Sequence, residues 1–355
     1  MIILGLETSC DETAAALVEE TGDHTLPWRV RSSVVASQVA IHREWGGVVP
    51  ELSARQHIGD ICGVVERALD EGGGVTFDAV AVTQGPGLVG SLLVGVSFAK
   101  SLAWSKSVPL IAVHHLAGHL ESLVLESGEM PVPAVVLIVS GGHTSLYLVP
   151  APGACELVGR TRDDAAGEAY DKVAKLLGLG YPGGPVIDRL AAEGEDRAVS
   201  FPKTRLTHAD RNAPELPGRR DFSFSGLKTS VMRHVAGRRA ALGLGADAPL
   251  PDQDVRNICA SFQRVVVEAL LDRLFEAARS YGARSVGIAG GVSANSRLRA
   301  DVRSRAEARE LKVFMPAPSL ATDNAAMIAA AGLRRYRAGI TADWDLNADA
   351  SLKLG

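Results

Sequence analysis

Two histidines four residues apart are the side chains of this sequence best spaced for chemistry. His115 and His119 lie in the string Val113-His114-His115-Leu116-Ala117-Gly118-His119. On a helix, positions i and i+4 share a face, so both imidazoles can reach one metal ion. Further on, Ser140-Gly141-Gly142-His143-Thr144 follows an apolar run at 135–139. A glycine turn leaving a buried strand can offer backbone N–H groups to a phosphate. Taken alone, each feature is also what an ordinary helix or turn contains. A zinc peptidase would place a glutamate directly after its first histidine as general base; here that residue is Leu116.

The surrounding pattern shows what must hold these residues. Strands are expected at 2–6 and 14–18, joined by the polar tip Glu7-Thr8-Ser9-Cys10-Asp11-Glu12-Thr13, and again at 135–139 and 145–149 around the glycine turn. The second hairpin repeats the first. Further strands are expected at 79–82, 110–113 and 285–289. Helical periodicity runs through 55–71, 91–105, 256–281 and from about 296 onward. Asp163-Asp164 reads as the acidic start of another helix, with its acids near the positive end of the helix dipole. Strands alternating with helices in two hairpin-led halves predict an α/β fold of two related domains around a central cleft, with ligands at the carboxyl ends of strands. The expected division is 1–130, 131–340 with an insertion at about 160–250, and a tail at 341–355 to which no role is given.

Bulk properties narrow the class. The chain has 355 residues, 46% of them hydrophobic and 22% charged, enough for two folded domains. A net charge of −4 gives no global nucleic-acid signature. One stretch, 197–239, is basic: Arg197, Lys203, Arg205, Arg211, Arg219, Arg220, Lys228, Arg233, Arg238 and Arg239 face only Asp210, Glu215 and Asp221. It is either a nucleic-acid surface or a solvated one. Cys10, Cys62, Cys155 and Cys259 have no paired spacing and read as reduced cytosolic thiols. No signal peptide is expected, and the uncharged run 79–99 reads as strand, turn and helix because Gly85-Pro86-Gly87 interrupts it.

Nine ordered strings carry a resemblance. Glu7-Thr8-Ser9-Cys10-Asp11-Glu12-Thr13 is followed by Gly46-Gly47-Val48-Val49-Pro50-Glu51-Leu52, Gly85-Pro86-Gly87-Leu88 and His114-His115-Leu116-Ala117-Gly118-His119. Next come Ser140-Gly141-Gly142-His143-Thr144, Gly167-Glu168-Ala169-Tyr170-Asp171-Lys172 and Phe222-Ser223-Phe224-Ser225-Gly226-Leu227-Lys228-Thr229. Gly290-Gly291-Val292-Ser293-Ala294-Asn295 and Thr322-Asp323-Asn324 complete the series. From residue 3 to about 332 the chain resembles the TsaD family of bacterial tRNA threonylcarbamoyladenosine transferases, within the actin-like (ASKHA, RNase H-like) superfamily.

The resemblance implies transfer of the threonylcarbamoyl group of threonylcarbamoyl-AMP to N6 of the adenosine 3′ to the anticodon, in tRNAs reading A-starting codons, with release of AMP. It implies one divalent metal per subunit, Fe2+ or Zn2+, held by His115, His119 and Asp323. Donor contacts map to Ile138, Val139, Ser140, Gly141, Gly142, Asp171, Gly184, Asp188 and Asn295. Expected partners are tRNA, TsaB as heterodimer partner and the ATPase TsaE, in the cytoplasm and away from membranes. The weakly nucleophilic adenine amine calls for a base, for which Asp11 and Glu12 are the candidates. An actin-like ATPase or kinase is the alternative on the same fold; a metalloprotease is the remaining rival.

Overall fold

The computed structural model describes residues 1–23, 25–204, 206 and 220–354. They form two compact units, one of Met1–Met130, Ala151–Cys155 and Phe314–Gly355, the other of Pro131–Pro150 and Glu156–Val313.

The first unit opens with β1 (Ile2–Glu7), β2 (Glu12–Glu20) and β3 (Trp28–Ser37), followed by α1 (Val39–His42) and the long α2 (Pro50–Glu71). Next come β4 (Ala79–Gly85), α3 (Val89–Lys106), β5 (Leu110–His114), α4 (His115–Ser122) and α5 (Val124–Ser127). The strand order is β3-β2-β1-β4-β5, with β1 antiparallel to β2 and parallel to β4.

In the second unit β6 (Ala134–Val139), β7 (Thr144–Val149) and β8 (Glu156–Arg160) are followed by α6 (Ala166–Leu176), α7 (Gly183–Ala191), α8 (Ser225–Ala241) and α9 (Asp252–Ser280). β9 (Ser285–Ala289), α10 (Ser296–Glu307) and β10 (Lys312–Phe314) close it. Its order, β8-β7-β6-β9-β10, repeats that of the first sheet. Two copies of one hairpin-led α/β topology establish the actin-like fold class expected from sequence.

After β10 the chain returns to the first unit as α11 (Pro318–Ala321) and α12 (Ala325–Arg337). This differs from the expected division, which assigned everything up to 340 to the second half. The cause is the two-faced burial of β1. Strand alternation sends Leu4 and Leu6 toward α2 and α3, while Ile3 faces the other way and is covered by the alanine-rich α12. Without α12 that face of the sheet would be open to water. Residues after 340, given no role from sequence, also pack on this unit: Ala342 N–H donates to Leu110 C=O at 2.8 Å, and Trp344 stacks edge-on with Trp104.

Candidate functional site

β5 is apolar and buried, and it delivers the chain straight into α4, whose first residue is His115. His114, the N-cap, accepts the Leu116 N–H on Nδ1 at 3.0 Å. One turn later comes His119. Both histidines are buried, at 4% and 0% exposure, so the helical face they share points into protein. α12 packs against α4, and the loop before it carries Asp323. A buried ion pair ties the two helices: Arg334 Nη2 lies 2.9 Å from Glu121 Oε2. Asn324, not Asp323, caps α12 by accepting the Met327 N–H at 3.0 Å, so Asp323 is not the cap of that helix.

The ligand atoms of His115, His119 and Asp323 all lie within 4.8 Å of one another. Asp323 Oδ1 is 3.2 Å from His119 Nε2 and 3.5 Å from His115 Nε2. Neither ring nitrogen of buried His119 meets hydrogen-bond geometry, despite the nearby carboxylate. Two buried imidazoles whose Nε2 atoms converge on one carboxylate are a donor set suited to a divalent cation.

A further residue supports them. Glu7, fully buried at the end of β1, lies 3.1 Å from His115 Nδ1 and accepts the Thr83 hydroxyl at 2.7 Å. The Ser9 N–H donates to its other oxygen at 2.5 Å. A carboxylate on Nδ1 leaves Nε2 as the lone-pair donor, the arrangement that orients metal-binding histidines. Sequence reading placed Glu7 only in a motif string. Its signal was an acid ending an otherwise apolar buried strand.

Charge follows from this crowding. Burial opposes protonation of His115, but the Asp323 and Glu7 carboxylates outweigh it and raise its pKa to about 9. His119 is lowered, chiefly by burial. Glu12 is raised well above the ordinary carboxylate range by burial and then by Asp323 and Asp11. Burial, Asp11 and Asp323 also push the Cys10 thiol up, so it is no nucleophile. The tip bearing Cys10, Asp11 and Glu12 is pinned from α2, where His57 Nε2 reaches Cys10 C=O at 3.0 Å and His57 Nδ1 reaches the Thr13 hydroxyl at 2.7 Å.

The remaining candidates lie in the second unit. Ile138 and Val139 are core residues of β6. Gly141 and Gly142 are exposed at the hairpin tip with open space around them. The α6 N-terminus sits against this tip: the Gly167 N–H donates to Ser140 C=O at 3.1 Å, and a Cβ on Gly167 would come within 2.6 Å of that oxygen. Asp171 accepts the Gly183 N–H at 2.7 Å, at the start of α7 beside Gly184. Asp188 and Asn295 are bound to each other at 3.1 Å. Asp188 also accepts from Gln263, Ser296 N–H and the Ser296 hydroxyl, while Asn295 caps α10 through Leu298. Those two side chains therefore hold α7, α9 and α10 together.

One expectation changes here. Asp163 and Asp164 precede α6 rather than starting it; Asp163 instead accepts the Phe224 N–H at 2.8 Å and the Ser223 hydroxyl at 2.6 Å, at the start of α8. Part of the basic stretch meets partners distant in sequence. Lys203 pairs with Asp272, Lys228 with Asp164 and Arg238 with Asp254, while Arg220 stacks on Tyr281. Arg205, Arg211 and Arg219 lie outside the described residues, as do Asp210 and Glu215.

Fold and site together define an actin-like two-unit protein with a buried two-histidine, one-carboxylate cluster in its first unit. A family profile described as "TsaD: tRNA N6-adenosine threonylcarbamoyltransferase" matches residues 29–330. Proteins of that name from Anaeromyxobacter sp. (strain Fw109-5) and Moorella thermoacetica are 49% and 48% identical to it. The first alignment covers 100% of each chain; the second covers 99% of this chain and 97% of the relative. The chain belongs to the TsaD family of tRNA N6-adenosine threonylcarbamoyltransferases and is a transferase that modifies tRNA. Among solved structures, T. kodakarensis HypF matches with a TM-score of 0.58 at 13% identity, over 95% of this chain and 48% of that one. Component A of the Acidaminococcus fermentans (R)-2-hydroxyglutaryl-CoA dehydratase matches at 0.50 and 14%, over 95% and 99%. Both likenesses are of fold alone. No helix among the described residues is long and apolar enough to cross a membrane.

Proposed function

We propose that the chain transfers threonylcarbamoyl from threonylcarbamoyl-AMP to N6 of the adenosine 3′ to the anticodon, releasing AMP, in a metal-dependent reaction. The observation that carries the metal dependence is the convergence of His115, His119 and Asp323, with Glu7 fixing the His115 tautomer and His119 Nε2 facing the Asp323 carboxylate. His115 Nε2, His119 Nε2 and Asp323 would hold the ion, Fe2+ or Zn2+. When bound, it supplies Lewis acidity and a fixed point for orienting the donor.

The chain's own groups do the rest. The N6 nitrogen attacks the carbamoyl carbon, the bond from that carbon to the phosphate oxygen breaks, and AMP departs with the electron pair. Because the anhydride is already a good donor, positioning and charge stabilisation supply most of the rate. Gly141 and Gly142 N–H groups, exposed and unobstructed, receive the phosphate. Asp171 and Gly184 serve the adenylate's ribose side. For Asp188 and Asn295 the role is to position these helices and the loop before α10. The N6 proton goes to Glu12, whose burial beside Asp323 and Asp11 gives it the stronger proton affinity a base requires. Asp11, the other candidate base, adjoins Glu12 on the same tip.

tRNA is the acceptor; TsaB and TsaE are the proposed partners, and the cytoplasm, where tRNA resides, the proposed location. His115→Ala tests the reading: transfer to tRNA is expected to disappear with the fold retained, and wild-type activity in that variant would overturn the metal assignment. Neither a kinase nor an ATPase needs this ligand cluster, and the base a zinc peptidase requires is absent at Leu116.

A further inference from the structure

His114 is buried and adjoins a metal-ligand candidate, yet the mechanism above does not use it. Its two ring nitrogens face different parts of the chain. Nδ1 receives the Leu116 N–H at 3.0 Å, so it carries the lone pair. The proton must then be on Nε2, which donates to Leu352 C=O at 3.1 Å. A single neutral tautomer satisfies both bonds. One imidazole therefore links the first turn of α4 to a segment 238 residues away.

That segment is held along its length. Lys100 Nζ donates to Leu346 C=O at 3.1 Å, and Gln84 Nε2 donates to Asn347 C=O at 3.3 Å. The Asp349 N–H donates to Gln84 C=O at 2.9 Å, and the Gly87 N–H to Ala350 C=O at 3.4 Å. The contact is closest at Gly85, where an added Cβ would come within 1.8 Å of Asp349 O and 3.2 Å of Leu352 Cβ, with no other part of the chain among its nearest obstructions. Residues 346–352 thus form a strap across the carboxyl ends of β4 and β5, its last anchor on the residue before His115.

We propose that His114 is a positioning residue and the strap its support, together setting the start of α4 so that His115 and His119 meet Asp323 in ligating geometry. This rests on the metal reading above. Outer contacts that orient metal ligands are typically worth about 10–100-fold in affinity, and the strap-to-His114 link belongs to that class.

The test uses full-length chains. Gly85→Ala wedges the strap away, its added Cβ meeting Asp349 and Leu352 first, and leaves the His114 side chain chemically unchanged. His114→Asn keeps a side-chain oxygen able to cap Leu116 but is too short to hold Leu352. Zn2+ affinity is measured by chelator competition, and the Co2+-substituted protein is read by its visible absorption. We expect each variant to weaken Zn2+ binding about tenfold or more and to alter the Co2+ spectrum. The double variant should be no worse than the weaker single, because both cut one link. His114→Ala, which also removes the cap, should be worse than His114→Asn. Wild-type affinity and spectrum in both single variants overturns the strap while leaving the metal reading intact. Additive losses in the double variant also overturn it, since the two residues would then act separately. Absence of Zn2+ and Co2+ binding by the wild-type chain overturns both.

Discussion

The seat of α12 on β1 sets the position of Asp323, and one methyl group tests it. Gly5 lies mid-strand in β1, beneath the first turn of α12. A Cβ there would sit 2.3 Å from Ala325 O, 2.7 Å from Ala329 N and 2.9 Å from Ala329 Cβ. Ordinary contact begins at 3.4 Å, and the obstructing atoms are mostly backbone, so in Gly5→Ala the helix start must retreat by about 1.1 Å. Asp323 is two residues before Ala325 and moves with it. Metal sites tolerate ligand displacements of roughly 0.2 Å, several times less. The expected result is loss of bound metal together with overpacking destabilisation of about 1–3 kcal/mol. Elemental analysis of tag-free protein and thermal unfolding read the two effects. Gly63→Ala in α2, where an added Cβ meets nothing within 4 Å, is the control, and should stabilise by up to ~1 kcal/mol. An unchanged metal content and unfolding midpoint in Gly5→Ala would refute the claim that close α12 packing places Asp323.

Further predictions follow from the same contacts. Glu7→Gln should weaken metal binding by about 10–100-fold while preserving the fold, read by chelator competition. Because His115 in metal-free protein titrates at about 9, it is protonated at pH 7 and must lose that proton on ligation. Metal uptake at pH 7 should therefore release about one proton, and affinity should rise as pH climbs toward 9, seen by calorimetry in buffers of different ionisation heat. By the same shift, the metal-free protein should lose stability as pH rises through 9, since the folded state holds the proton more tightly than the unfolded chain. Arg334→Ala strands the buried Glu121 carboxylate and should cost about 3–5 kcal/mol in denaturant unfolding; Glu121→Gln in that background should recover part of it.

Much of the fold was legible because its strands announce themselves. Buried runs such as 135–139 and 285–289 allow little else, and the repeated hairpin around a polar tip signals the duplicated topology. β3 went unseen: Arg29, Arg31, Ser32, Ser33 and Ser37 break up its apolar residues without a regular alternation, so this edge strand mimics a polar linker. α12 reads clearly as a helix, but nothing in its own sequence says which sheet it covers; that choice is made by the uncovered face of β1, three hundred residues earlier. The metal triad came from spacing for the two histidines and from family resemblance for Asp323, since no local pattern separates a ligand aspartate from a capping one. Glu7 and His114 were hidden for a different reason. Their roles are set by the ring nitrogens and carbonyls they meet across the fold, which spacing along the chain does not encode. For the basic stretch, charge counted along sequence does not show that Lys203, Lys228 and Arg238 meet Asp272, Asp164 and Asp254 in space.

The central claim, that His115, His119 and Asp323 hold the metal on which tRNA modification depends, meets its most direct test in a single add-back experiment. Protein without a histidine tag, stripped by chelation and verified metal-free by elemental analysis, is assayed for threonylcarbamoyl transfer to tRNA before and after stoichiometric Fe2+ or Zn2+. The expected result is no transfer by the stripped protein, recovery with one equivalent of metal, and no recovery in His119→Ala. Full transfer by verified metal-free protein would contradict it.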